Sequence, residues 1–397
     1  DAKGAVVDLA SSFYETRHPA KIEAIALSKP VYAAGEPIEA SVKVGGAAAG
    51  MRVEARLLDT LDREVAPVMT AAIGADGKAV FRLPLPAPLT LAARLHVSLL
   101  RGDTLIEKRF ERVWIDLPTR DDYTFCAWYA WTSQPHAYYG MKLLRQFGVD
   151  TLVTLPGVER AQNTAWGNVR HGPENVSRVV PANKDDSRVR VPCLTDPDFR
   201  AKVGAKVAEL AKAMRPYGVT EWSLGDESTL GRRDYCTSPS CLAAFREYLK
   251  QQHKTLAALN ESWGSRFAKW EDVTPAKLTD VEKGGKIGAW LEHRRYMESV
   301  FADYHDWLRK VIVKEIPEAR VGISGTPNVN SYSGHDWWKL MQGPLTHLSG
   351  YGGMQRELQR SFVRPGTFVT TFLGYDYKDS DEQRGRYAPW DLLFHGS

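Results

Sequence analysis

Residues 198–227 read DFRAKVGAKVAELAKAMRPYGVTEWSLGDE, and a change of rhythm inside this stretch decides the fold class. Over residues 198–217 apolar side chains recur at Val203, Val207, Leu210, Ala211 and Met214, the spacing of one helical face. Pro216 and Gly218 stop that helix. Residues 220–224 then form a short apolar strand, which finishes in Gly225 and two adjacent carboxylates, Asp226 and Glu227.

The same alternation repeats on both sides. Residues 123–130, 149–155, 320–324, 346–349 and 367–373 read as strands, with a further strand near Val179-Val180-Pro181. Residues 138–147, 242–252 and 287–316 read as helices, and residues 390–394 as a last short one. Strands alternating with helices over about 275 residues call for parallel strands joined by crossover helices, and a (β/α)8 TIM-type barrel fits that length. No glycine-rich phosphate turn follows the first strand, which argues against a nucleotide-binding doubly wound sheet. Only seven strands can be counted before Ser397, so the barrel reads as truncated before strand eight.

Upstream the period changes to two. Residues 22–26, 37–44, 51–58, 79–84, 91–100 and 104–115 alternate apolar and polar, with turn signals at Ala49-Gly50, Asp76-Gly77 and Arg101-Gly102-Asp103. This predicts an Ig-like β-sandwich over residues 1–117, acting as a packing or spacer domain, and a barrel over residues 118–397. The chain starts at Asp1 with no basic-then-apolar leader, consistent with a leader already removed or a start inside a longer chain.

Composition narrows the function. The 397 residues carry a net charge of +4, with no Lys/Arg block to mark a nucleic-acid surface. No apolar run reaches the roughly 18 residues of a membrane span. The 12 Trp and 16 Tyr are flat amphipathic rings that suit sugar faces and serve equally as core.

Chemistry in such a barrel sits where strands end. Two acids at one strand end are costly unless bonded or used. On an extended backbone neighbours point opposite ways, so one of Asp226 and Glu227 faces the mouth and the other is held by neighbours. A Glu in an apolar, aromatic-lined mouth has a raised pKa and acts as a general acid; as helix N-terminal acids the pair serve structure alone. Trp131, Tyr351 and Tyr375 at strand ends offer stacking platforms, and Asn328 a hydroxyl partner, so the substrate-binding candidates here are Trp131, Tyr351, Tyr375 and Asn328.

Residues 190–275 resemble the central part of the family 42 glycoside hydrolases, the β-galactosidase group of a two-carboxylate barrel clan. The run begins at Arg190-Val191-Pro192-Cys193 and Asp196-Pro197-Asp198-Phe199-Arg200 and passes through Gly225-Asp226-Glu227. It is strongest at Cys236 to Cys241, Phe245, Thr255-Leu256, Leu259-Asn260, Trp263-Gly264 and Trp270, with weaker similarity to residue 316. The resemblance implies that Glu227 is the proton donor, and that Asp226 stands where the family has an Asn that bonds a sugar hydroxyl. The family's nucleophile is a Glu at the end of strand seven; here Asp376 is the nearest carboxylate and Glu357 the runner-up. Carboxyls about 5 Å apart predict retention, and about 6.5–9.5 Å inversion. Some members hold zinc in a cysteine cluster, which implies either a structural zinc at Cys193, Cys236 and Cys241 or a disulfide among them, and no organic cofactor. Relatives are often trimers, so a homo-oligomer is expected. The expected function is a retaining, secreted or periplasmic glycosidase acting on a β-linked galactoside or related saccharide. The alternative is a non-catalytic carbohydrate-binding or scaffold barrel that has lost its nucleophile.

Overall fold

The computed structural model describes residues 18–86, 90–117, 123–128, 136–181, 190–219, 221–231, 234–326, 332–342, 345, 347–350, 354–371 and 382–396. The chain divides into two compact units, Asp1–Leu117 and Pro118–Ser397.

Among its described residues the first unit is all β: β1 (Lys21–Leu27), β2 (Val31–Ala33), β3 (Ile38–Gly45), β4 (Met51–Asp59), β5 (Met69–Ala72), β6 (Lys78–Leu83), β7 (Ala92–Arg101) and β8 (Thr104–Asp116). They form two sheets, ordered β1-β3-β6 and β2-β8-β7-β4-β5. Alternation sets which face is buried: Ile38, Ala40, Val42 and Val44 of β3 point inward while Glu39 is exposed. Register then stacks like with like, Val53 opposite Leu99, Ala55 opposite Val97 and Leu57 opposite Leu95. Both inner faces share one core, with Ile38, Val42 and Phe81 from one sheet and Val53, Leu57 and Leu95 from the other.

The second unit alternates: β9 (Cys126–Trp128), α1 (His136–Gln146), β10 (Thr151–Thr154), α2 (Val158–Trp166), β11 (Arg170–Pro173), α3 (Pro197–Met214), β12 (Glu221–Asp226), α4 (Pro239–His253), α5 (Leu256–Trp263), α6 (Leu278–Glu282), α7 (Ile287–Glu315), β13 (Arg320–Thr326), α8 (Trp337–Gln342), β14 (His347–Gly350), α9 (Met354–Phe362), β15 (Phe368–Thr371) and α10 (Glu382–Phe394). All strand pairs are parallel, in the runs β9-β10-β11 and β12-β13-β14-β15. The runs join just past β11, where the Val176 and Ser177 amides donate to the Ser223 and Leu224 carbonyls at 3.3 and 2.8 Å. Among the described residues, strand order therefore follows chain order. A doubly wound sheet would reverse order at a switch point, so the singly wound, curling arrangement is that of a barrel.

Capping explains the helix starts. Asp196 accepts from the Asp198 and Phe199 amides at 2.9 and 3.4 Å, and Pro197 follows at the first position of α3. Trp222, Phe245, Phe301 and Tyr304 are among the largest fully buried side chains, in the core shared by β12, α4 and α7.

One strand lies elsewhere than expected. The third is Arg170–Pro173, not Val179-Val180-Pro181. Val179 instead secures the loop beyond β12, its amide donating to Ser228 Oγ at 3.2 Å and its carbonyl accepting from Thr229 N at 2.9 Å. β11 reads Arg-His-Gly-Pro, with no β-branched or aromatic residue to announce a strand.

Candidate active site

The site grows from the end of β12. Glu221 to Gly225 are buried, Asp226 is half-buried and Glu227 is exposed. Glu227 itself adopts the left-handed conformation, φ +50°, which is unfavourable for a residue with a Cβ. Its amide donates to the Ser324 carbonyl at 2.9 Å, tying it to β13.

Two glycines make this turn possible. A Cβ at Gly225 would stand 2.1 Å from Ser228 Oγ and 2.8 Å from Arg178 Cα. A Cβ at Gly325, whose φ is +58°, would stand 2.1 Å from Asp226 Oδ1 and 3.1 Å from Glu227 Cγ. The backbones of three neighbouring strand ends thus close tightly around the two carboxylates.

The carboxylates have different surroundings. The Glu227 side chain is 49% exposed, and Arg178 Nη2 lies 3.7 Å from its Oε2. Glu227 is thus the exposed member of the pair, beside a guanidinium, and Asp226 the half-buried one. The Asp226 carboxyl is raised above the ordinary value by burial first and then by the Glu227 charge, against the pull of Arg178. The Asp226 amide donates to Asn175 Oδ1 at 2.8 Å, and among the described residues no donor reaches its buried Oδ1.

This arrangement has a testable sign. A carboxyl with a raised folded-state pKa adds stability below the ordinary carboxylate range and loses it as pH rises through the folded value. Asp226→Asn is therefore expected to raise the Tm at pH 7, with the gain vanishing near pH 3. Calorimetry checks this, and an unchanged or lower Tm at pH 7 contradicts it.

Glu174, which sequence reading passed over, is 1% exposed just past β11. Trp128 Nε1 donates to its Oε2 at 2.9 Å and Ser324 Oγ to its Oε1 at 2.9 Å; Ser223 Oγ lies 2.7 Å from Ser324 Oγ. One buried carboxylate thus links β9, β11, β12 and β13. The signal was present, since Glu174-Asn175 follows a glycine-containing strand as Asp226-Glu227 does. Trp128 spends its indole N–H here, inside the barrel.

The loop after Glu227 is held from beneath. His335 donates from Nε2 to the Ser228 carbonyl at 2.8 Å, and its ring stacks on Trp337. Burial pushes the His335 imidazole down to about 4. Buried Arg190 donates to the Val180 and Pro192 carbonyls at 2.5 and 2.8 Å and pairs with Asp234 at 3.3 Å. Arg294 donates to the Gly231, Asp234 and Tyr332 carbonyls at 3.2, 3.3 and 2.5 Å.

Of the expected site residues, Asp226 and Glu227 come together at one strand end. Asp376, Trp131, Tyr351, Tyr375 and Asn328 lie outside the described residues. Glu357, the runner-up, sits in the first turn of α9, exposed and paired with Arg360 at 3.5 Å, so it lies on a helix and not at a strand end.

Cys193, Cys236 and Cys241 are buried free thiols whose Sγ atoms lie within 4.8 Å of one another. Cys193 and Cys236 are 3.7 Å apart, well beyond a disulfide bond. Cys126 is a separate strand residue whose thiol burial pushes up to about 12.

The sequence profile of the β-galactosidase family, glycoside hydrolase family 42, matches residues 171–343. The β-galactosidase BglY of Alicyclobacillus acidocaldarius is 28% identical over 207 residues, covering 50% of this chain and 28% of BglY. The β-galactosidase BgaP of a Planococcus species is 26% identical over 163 residues, covering 38% of this chain and 23% of BgaP. The chain thus aligns with about a quarter of the length of these relatives. The solved β-galactosidase of a Rahnella species superposes with a TM-score of 0.50 at 18% identity, over 62% of this chain and 44% of that one, a likeness of fold. Over residues 171–343 this chain is family 42-like, on a barrel of the kind that family uses.

Proposed function

We propose that this protein is a glycoside hydrolase that cleaves a β-linked galactoside or a related oligo- or polysaccharide, with Glu227 as its proton donor. The observation that carries this reading is the strained placement of Glu227. A left-handed non-glycine residue at a strand end, with Gly325 leaving room for its side chain and its carboxylate turned to solvent, is expensive to build.

In the retaining version, Glu227 gives its proton to the glycosidic oxygen as the Asp376 carboxylate attacks the anomeric carbon, and the leaving alcohol departs. Water then attacks the glycosyl ester; Glu227 takes a proton from that water and Asp376 leaves as carboxylate. Arg178 stabilises the Glu227 carboxylate between the two steps. Asp226 accepts from a sugar hydroxyl, with Trp131, Tyr351 and Tyr375 as stacking surfaces and Asn328 as a further hydroxyl partner. The N-terminal unit serves as an Ig-like spacer, and a secreted or periplasmic homo-oligomer belongs to the same reading.

No organic cofactor enters this chemistry. The cysteine cluster suits a structural zinc: with Zn–S bonds of about 2.3 Å, tetrahedral sulfurs stand about 3.8 Å apart, close to the 3.7 Å between Cys193 and Cys236. Zinc there would fasten the segment before α3 to the loop that follows Glu227.

The test compares wild type with Glu227→Gln on a panel of aryl β-glycosides, galactosides included. Hydrolysis by wild type and its loss in the variant support the assignment. Equal rates in the two proteins remove Glu227 from the chemistry, and saccharide binding without turnover supports the carbohydrate-binding alternative.

A further inference from the structure

We propose that the hydroxyl oxygen of Ser238 is the fourth ligand of the zinc site, making it a centre of three sulfurs and one oxygen; this rests on the zinc reading above. Three cysteines leave one vertex of a tetrahedron to fill. Ser238 Oγ lies 3.0 Å from Cys193 Sγ and 3.5 Å from Cys236 Sγ. Ligand atoms held at about 2.0–2.3 Å around one tetrahedral metal stand roughly 3.3–3.8 Å apart. The Cys193–Cys236, Cys236–Ser238 and Cys193–Ser238 distances of 3.7, 3.5 and 3.0 Å sit near that frame, the last somewhat short of it.

Other hydroxyls are close but differently placed. Thr195 Oγ1 and Ser240 Oγ lie 3.2 and 3.8 Å from Cys193 Sγ. Among the described residues Ser238 is the one whose oxygen stands within 3.5 Å of two of the three sulfurs. It is 8% exposed, with Cys236 and Cys241 at 2% and 1%, so the fourth vertex lies within the buried cluster.

The local fold prepares this oxygen. Ser238 is the N-cap of α4, and its Oγ accepts from the Cys241 amide at 3.2 Å. A hydroxyl oxygen has two lone pairs, so one can serve the cap and the other a metal. The N-terminal end of the 15-residue α4 faces the cluster and favours thiolate charge. On binding, the three thiols release their protons to solvent, while the Ser238 hydroxyl keeps its own and bonds as a neutral ligand. The net charge of the centre is then −1, set against the helix terminus.

The experiment titrates the full chain, thiols reduced, with cobalt(II) for its spectrum and with zinc against a chelator for affinity. Ser238→Gly retains a serviceable N-cap and removes the oxygen. Its zinc affinity is expected to fall roughly 10–100-fold, the scale on which groups supporting a bound metal act. Ser238→Cys is expected to add thiolate-to-cobalt charge transfer and to bind zinc more tightly. Wild-type affinity and spectrum in Ser238→Gly would overturn the role of Ser238 while leaving the zinc reading intact. Should Ser238→Gly fail to fold, Ser238→Cys decides alone, and no added charge transfer overturns the proposal. Failure of the wild type to take up either metal overturns the zinc reading and this inference with it.

Discussion

Glu227→Gln is expected to lower kcat on an unactivated aryl β-galactoside by roughly 10²–10⁴-fold, the usual worth of a positioned general acid. The substitution keeps the shape of the side chain and replaces the ionisable carboxyl with a neutral amide that cannot act as an acid. Fold loss is a poor competing explanation, because the side chain is 49% exposed and its ion pair with Arg178 is long, at 3.7 Å. A readout separates chemistry from structure. With a leaving group acidic enough to depart unprotonated, such as a dinitrophenolate, the bond-breaking step needs no acid and its burst phase is expected to survive in the variant. Uniform loss on both substrates would mean that Glu227 positions the site and does not donate a proton.

The second large effect is acid unfolding of the C-terminal unit between about pH 6 and 4. His171, His293, His305 and His335 are all buried there. Burial is the main cause in each case, pushing His171 and His293 down to about 3 and His305 and His335 to about 4. Nearby cations add to it, Arg160 for His171 and Arg294 for His293. These imidazoles stay neutral in the folded protein, while the unfolded chain takes up protons below about 6.5. Their contribution is thus fully present above 6.5 and is lost as pH falls toward the folded values. Each site costs up to about 1.4 kcal/mol per pH unit, and four together exhaust a typical stability of about 5–15 kcal/mol within a few units. Tryptophan fluorescence reports on this unit, since Trp114 is the single tryptophan before residue 118. Near-UV circular dichroism and fluorescence unchanged from pH 7 to 4 would contradict the expectation.

How much of this was legible in the sequence depended on local signal strength. α3 announces itself through its apolar stripe and the Asp196-Pro197 start, and β12 through an apolar run that ends in glycine. Both were readable because propensity, pattern and capping agree. β11 was misplaced because a strand buried in a parallel sheet need not alternate, and Arg-His-Gly-Pro owes its conformation to its neighbours. α2 was missed because it has nine residues and no capping side chain at Gly157. The site was half legible: the carboxylate pair could be named, but that Asp226 is the half-buried member and that Arg178, 48 and 49 positions away in sequence, stands beside Glu227 comes only from the fold. Glu174 escaped for the same reason, since its partners Trp128 and Ser324 come from other strands.

The buried Glu174 also bears on how the barrel finds its correct alignment. Apolar parallel strands tolerate sliding past one another, because one Val or Leu pocket accepts the next. A carboxylate that needs the Trp128 indole from β9 and the Ser324 hydroxyl from β13 does not. Shifting either strand by a pair of residues would strand a charge in a dry interior, at a cost of several kcal/mol. Glu174 thus acts as a registration pin, rejecting misaligned barrels more than it strengthens the aligned one.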